Sequence, residues 1–513
     1  MSSDLTRRQT LAFAAALAGL PGLARATDGE PGISLGSPEA FAPEMVIDMA
    51  RALSAKPYAP PRKVPKAWRD LSYDQYRKIW FDNRNALWRD TGRPAQVDFF
   101  APGLYFPAPI KVCTVDPIGG TARPVLFDLA VFDKTDKFPD VPIDDSLGYS
   151  GFRLLGELER PGIFQEYAVF QGASYFRAIG KGQIYGLSAR GIAVDTASER
   201  GEEFPEFRQF WLEEPEPGSD DLVVHALLDG PSVAGAYRFR IAHGATTVMD
   251  VEATLFPRRD LDNVGIGAET SMFLYDQTNR HKFDDFRPAV HDSDGLMILN
   301  GAGEMLWRPL ANPREVEVSF FVDENPKGFG LMQRARKPGD FADLEAKYHR
   351  RPGLWVEPGE DWGKGSVVLV EIPTDREIYD NIVCYWRPRE PLAKGQSHHF
   401  SYRLHWCAEA PVARTKSHVL NTRMGRSFSG RRIAAIDFAP HPMLPDDLSE
   451  LVLHTSGNRG KVTDGILQRN PETGGVRLDF GFEPPEGRGM EMRAQLMHNR
   501  KSVSEVWLYR WTP

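Results

Sequence analysis

Cysteine is scarce in this chain: three residues in 513 (Cys113, Cys384 and Cys407), with no CxxC pair. That excludes a disulfide scaffold and the zinc sites built on paired thiolates. At most one bridge is left, for which Cys384 and Cys407 are the pair to check, and buried apolar thiols are the plainer reading. Past the N-terminus there is no run of about 20 apolar residues able to cross a membrane. A G-x-S-x-G elbow is missing, which disfavours a serine hydrolase. Gly180-Lys181-Gly182 and Gly363-Lys364-Gly365 do not match the Walker pattern and are not phosphate loops. Positive charge is also short, with 62 Lys and Arg against 70 Asp and Glu and a net charge of -8. No basic cluster approaches the density that a nucleic-acid backbone requires, so nucleic acid is not the main partner.

What is plentiful is turn chemistry and rings. Gly 46, Pro 40 and 11% aromatics, without a long apolar helix, favour a mainly β body in a chain long enough for two or three domains. Arg7-Arg8, the weakly apolar segment Leu11 to Leu23 and Ala24-Arg25-Ala26 read as a signal peptide over residues 1–26. Its paired arginines suggest twin-arginine export. Thr10 stands where that motif usually has Phe, so Sec export stays open. The mature protein is then expected to begin near Thr27, outside the cytoplasmic membrane and without a membrane span.

Phe41 to Leu53 has helical spacing, and Ser72-Tyr73-Asp74-Gln75 has the form of a capping box opening a helix to about Asn83. Another helix is expected over Phe341 to His349, capped by Asp340. From Gln96 onward short β runs dominate, with clean period-two alternation in Tyr237–Ile241 and Met249–Leu255. A boundary near 410/411 divides a large β-sandwich, 27–410, from a C-terminal unit, 411–513, whose strand spacing fits an immunoglobulin-like sandwich.

Two stretches carry unusual chemistry. In Arg287 to Pro309, His291, Asp292 and Asp294 crowd ahead of Gly295, read as an acidic turn feeding two strands. In Trp355 to Trp386, Glu357, Asp361, Glu371, Asp375, Glu377 and Asp380 alternate with Trp355, Trp362, Tyr379, Tyr385 and Trp386. Carboxylates among aromatic faces are what a sugar-binding cleft needs, since rings cover pyranose faces and paired carboxyls move protons at a glycosidic oxygen. Between Tyr149 and Trp211, Tyr175, Tyr185 and Arg177 belong to a second ring-rich region, which ordinary sheet core explains as readily. For the H-D-S-D-G turn, spacing ranks a backbone-holding turn first, acid/base chemistry second and a metal third.

Assembled, these segments closely resemble the periplasmic glucan biosynthesis protein G/D family, which takes part in making osmoregulated periplasmic glucans with a β-1,2-linked backbone. The carriers include YSGFRLL (149–155), FQEYAVFQGASYFRAIGKGQIYGLSARGIAVDT (164–196), FRPAVHDSDGL (286–296), WVEPGEDWGKGSVVLVEIPTD (355–375) and DNIVCYW (380–386). The resemblance implies a galactose-mutarotase-like β-sandwich followed by an immunoglobulin-like domain, in the periplasm, with no cofactor and no metal. It implies an inverting glycoside hydrolase on β-1,2-glucan, with Asp380 as general acid and Asp292, by preference over Asp294, as general base. Asp294, Glu377, Trp355, Trp362, Trp386, Tyr175, Tyr185 and Arg177 are then the candidates for substrate contacts. Glycosyl transfer or cyclisation on the same glucan is one alternative. A non-catalytic glucan-binding scaffold for the membrane glucan synthase is the other, and a mutarotase rests on fold analogy alone.

Overall fold

The computed structural model describes residues 33–132, 138–219 and 221–513, so the expected export signal lies outside the described residues. The protein is mainly β, as its alternating sequence requires, and among the described residues no helix is long and apolar enough to cross a membrane. All three cysteines are buried thiols. Contacts divide the chain into two compact units: residues up to Ala268 with Tyr385–Cys407, and Glu269–Cys384 with Ala408–Pro513. One crossing, at Cys407/Ala408, falls beside the boundary read from sequence, and the segment Glu269–Cys384 groups with the C-terminal hundred residues.

In the first unit one sheet runs in the order Glu39–Ala40, Thr121–Pro124, Lys111–Asp116, Glu206–Glu213, Asp221–Asp229, Val233–Ala242, Thr247–Pro257, His398–Cys407. Its pairings are antiparallel except that of Lys111–Asp116 with Glu206–Glu213. A second set of strands, Ala95–Phe100, Gly151–Arg160, Ile163–Gln171, Tyr175–Ala178 and Ser188–Arg190, forms the facing layer. Period-two alternation sends Phe152, Phe170 and Phe176 from this layer to meet Phe210 and Phe239 of the other, with ring centroids 4.9–5.7 Å apart. The helix Pro43–Ser54 buries Val46 and Ala50 against Trp211, Leu227, Ala236 and Phe256 on the outside of the first sheet. The capping box at Ser72 forms as expected, but its helix, Tyr73–Tyr76, ends after one turn.

In the second unit Gly295–Leu299 lies between Met305–Pro309 and Gly328–Met332, antiparallel to both. Met305–Pro309 pairs in parallel with Val506–Trp511, beyond which the sheet continues through Met490–His498 to Val452–Gly457. Gly295 has to be glycine there, because a Cβ would meet the Trp307 ring at 2.1 Å. Val419–Arg426, Arg432–Phe438 and Val476–Glu483 form the separate C-terminal sheet, whose Phe480 meets Trp507 edge-on at 5.9 Å.

The helix expected over Phe341 to His349 does not form. A single turn, Pro338–Phe341, stops at Ala342 with φ 53°, and a 3-10 turn, Tyr348–Arg350, follows Lys347 at φ 49°. Asp343 supplies the physical reason: its carboxylate takes the N–H groups of Glu345 and Ala346, a local alternative that competes with helical hydrogen bonds.

Candidate active site

The acidic turn and the segment before Asn381 meet on one short piece of backbone, Ser271–Phe273, all within the second unit. On one side Phe273 is the ladder partner of His291, the Asp292 N–H donates to the Met272 carbonyl at 2.8 Å, and the Ser271 and Ser293 hydroxyls lie 2.8 Å apart. On the other side the Asn381 N–H donates to the Ser271 carbonyl at 3.0 Å. The Asn381 side chain accepts from the Phe273 N–H at 2.8 Å and donates to the carbonyls of Phe273 and Ile372 at 2.9 and 3.0 Å. Asn381 is 1% exposed, so its amide is saturated by backbone and acts as a clip at the base of the Asp380 loop. Asp380 itself is half-buried.

Asp292 is 4% exposed and forms an ion pair with Arg351, whose guanidinium also covers the Tyr348 ring at 4.4 Å. The Tyr348 hydroxyl donates to Glu377 at 3.1 Å, and Arg287 reaches the same Glu377 oxygen at 2.8 Å while also pairing with Asp285 and Asp343. A continuous polar wall therefore runs from Asp292 through Arg351, Tyr348 and Glu377 to Arg287. Burial opposes the Arg351 charge, but the Asp292 carboxylate offsets it and the guanidinium is held above its ordinary value. Burial raises the Tyr348 phenol, so it stays protonated as a donor. Hydrogen bonds from Arg287 hold Asp285 down at about 2.

Asp294 sits two residues from Asp292 in a different role. Its carboxylate accepts the Arg334 N–H at 2.9–3.0 Å and the Ala335 N–H at 3.0 Å, which locks the turn to the end of the strand Gly328–Met332. His291 is 1% exposed, between Phe273 and Phe341, with Nδ1 2.9 Å from the Gln333 amide oxygen. Among the described residues no three His, Cys, Asp or Glu side chains gather as a metal ion would require.

Of the residues singled out from sequence, the fold brings Asp292, Asp294, Glu377 and Asp380 into one region. Trp355 and Trp386, in the strands Gly353–Pro358 and Ile382–Pro388, are 0% exposed, and Trp362, in the loop between Pro358 and Lys364, is 7% exposed, so these rings present no open face for a pyranose. Tyr175, Arg177 and Tyr185 lie buried in the first unit, where the Arg190 guanidinium covers Tyr175 at 5.0 Å. Tyr348, Arg351, Arg287 and Asn381 were not legible as site residues. The first two fall in and beside a stretch that reads as helix, whereas Arg287, at the head of the acidic-turn stretch, and Asn381, adjacent to Asp380, had a sequence signal near them.

Residues 41–511 match the family model described as "Periplasmic glucan biosynthesis protein, MdoG". Glucans biosynthesis protein G 1 of Shewanella oneidensis is 47% identical over 478 residues, covering 92% of this chain and 87% of that protein. Glucans biosynthesis protein G of Shewanella baltica is 47% identical over 479 residues, covering 92% and 88%.

Proposed function

The chain belongs to the periplasmic glucan biosynthesis protein family, and from that membership we propose that it is an inverting glycoside hydrolase acting on β-1,2-glucan, with Asp380 as general acid and Asp292 as general base. It is a periplasmic protein of glucan biosynthesis, and the membrane glucan synthase is its proposed partner.

The single observation that carries the reading is the shared backbone at Ser271–Phe273, hydrogen-bonded to the Asp292 segment on one side and to Asn381 on the other. Strands in a sheet lie about 4.8 Å apart, so segments flanking a common third one are roughly 10 Å apart at the backbone. Carboxyls projecting from two such segments can approach the separation of roughly 6.5–9.5 Å that leaves room for a nucleophilic water. The contact with Arg351 supports Asp292 as the base by holding its side chain in one place. Asp294 is the weaker candidate for base, because both of its oxygens already serve backbone amides.

The experiment is release of reducing ends from β-1,2-glucan by wild type, Asp380→Asn and Asp292→Asn, with the product anomer followed by NMR. Each variant should lose about three orders of magnitude or more in rate while still binding glucan. Retention of the anomer overturns the inverting mechanism and favours transfer through a covalent intermediate. Absence of any cleavage or transfer by wild type overturns the enzyme reading in favour of a glucan-binding scaffold.

A further inference from the structure

One surface of the second unit carries cations that nothing neutralises. Among the described residues Arg280, Lys282, Arg314, Arg426 and Arg432 form no ion pair with a carboxylate. They are neighbours: Lys282, Arg432 and Arg426 act on His281, and Arg314 and Arg432 act on Lys282. Burial and then these like charges push both His281 and Lys282 below their ordinary values. The guanidinium of Arg432 rests on the Trp511 ring at 4.2 Å, and that of Arg280 on the backbone carbonyls of Asp285 and Arg287. In a protein with a net charge of -8, a cluster of this kind raises the electrostatic energy of the free fold, which a ligand of opposite charge would relieve.

The same surface carries exposed rings. Arg426 and Arg432 end the paired strands Val419–Arg426 and Arg432–Phe438, and Phe428 stands at the turn between them with 110% relative exposure. The turn is a built one, closed by the Ser427 and Gly430 N–H groups, by Arg426 bonding the Gly430 carbonyl at 3.1 Å, and by Gly430 at φ 81°. Phe286, 80% exposed, stands on the loop that Arg280 clasps from both sides. A ring held fully in water at the tip of a tight turn, flanked by long cationic side chains, combines an apolar wedge with headgroup-level charge. That combination suits the interface of an anionic bilayer better than an acidic protein face, which would match the charge but leave Phe428 without a hydrocarbon layer to enter.

We propose that the surface formed by Lys282, Arg314, Arg426, Arg432, Phe428 and Phe286 docks this protein on an anionic phospholipid bilayer. The docking is peripheral and reversible. It also orients the candidate site, because Arg287, next to Phe286, is the end of the wall that leads through Glu377 to Asp292.

The test is flotation of the mature protein with vesicles of phosphatidylcholine alone and of phosphatidylcholine with about a third phosphatidylglycerol, at low and high salt. Binding is expected only to the anionic vesicles and should fall with salt. Each Lys or Arg near such a surface is worth about fivefold in affinity, so Lys282→Gln/Arg426→Gln should weaken binding about 30-fold. Phe428→Ser should weaken it about tenfold at any salt. These side chains are exposed, and thermal melts matching wild type confirm that the variants fold. Equal binding to both vesicle types overturns the proposal, as does no binding to anionic vesicles, which would leave an acidic protein as the partner. Variants that float like wild type overturn it too. Full displacement by glycerol phosphate also overturns it, by pointing to a small-anion site instead of a surface.

Discussion

Replacing Asn381 with alanine should loosen the candidate site without touching any group proposed to react. The side chain is 1% exposed and makes three hydrogen bonds to backbone, accepting from Phe273 N–H and donating to the carbonyls of Phe273 and Ile372. Alanine leaves one buried donor and two buried acceptors without that partner. At about 1 kcal/mol for each bond lost, the variant should be less stable by about 3 kcal/mol. Urea unfolding followed by tryptophan fluorescence measures this, provided the second unit gives a resolved transition. The Asp380 loop is anchored by the same clip, so the rate on β-1,2-glucan should fall at least tenfold under conditions where the variant is fully folded. Asn381→Asp should do worse than alanine, because it sets a carboxylate against two carbonyl oxygens. A stability loss under about 1 kcal/mol with an unchanged rate would refute the claim that this clip joins the two acidic segments.

Asp294→Ala should cost about 3 kcal/mol through the lost clamps on Arg334 and Ala335, and Asp294→Asn somewhat less, both read by the same unfolding experiment. In the folded state Asp294→Asn should retain far more glucan-cleaving rate than Asp292→Asn, and equal loss in the two would reopen the choice of base. Glu269, fully buried with the Leu331 N–H on one oxygen at 2.8 Å, is held by burial well above its ordinary value of 4.5. A carboxyl raised on folding loses stability as pH climbs above 4.5, so Glu269→Gln should gain in Tm relative to wild type between about pH 5 and 8 and show no gain near pH 4. A constant difference across that range would contradict the burial argument. Asp285 lies on the opposite limb. Its value is held down from 3.8 to about 2 by Arg287, so the stability it supplies is present above about pH 4 and lost as pH falls towards 2. Arg287→Met should flatten that acid limb in Tm-versus-pH scans.

The β class was legible because period-two alternation is local. In the strand Val233–Ala242 the burial of Tyr237, Phe239 and Ile241 and the outward Arg240 can be read from neighbours two residues apart. The capping box at Ser72 was legible for the same reason, but the length of its helix was not. The helix expected after Asp340 failed because Asp343 holds Glu345 and Ala346 in a local turn and is itself held by Arg287, 56 residues earlier. Tryptophans that look like sugar platforms by composition proved to be core, since nothing in a strand of mixed rings and carboxylates states which face is covered.

The sequence alone determined the alternating strands, the acidic turn, the aromatic and carboxylate-rich stretches, and through the likeness of whole segments the family. All of these are properties of residues near one another along the chain. Tertiary structure decided which acidic side chains share a site and what each is free to do. Asp292 and Asp294 are chemically identical and two residues apart, yet one meets the guanidinium of Arg351 and the other the backbone of Arg334 and Ala335. The joining of Asp292 to the Asp380 loop through Ser271–Phe273 spans about a hundred residues of chain, and such long-range closure is made by sheet packing, to which no local pattern is bound.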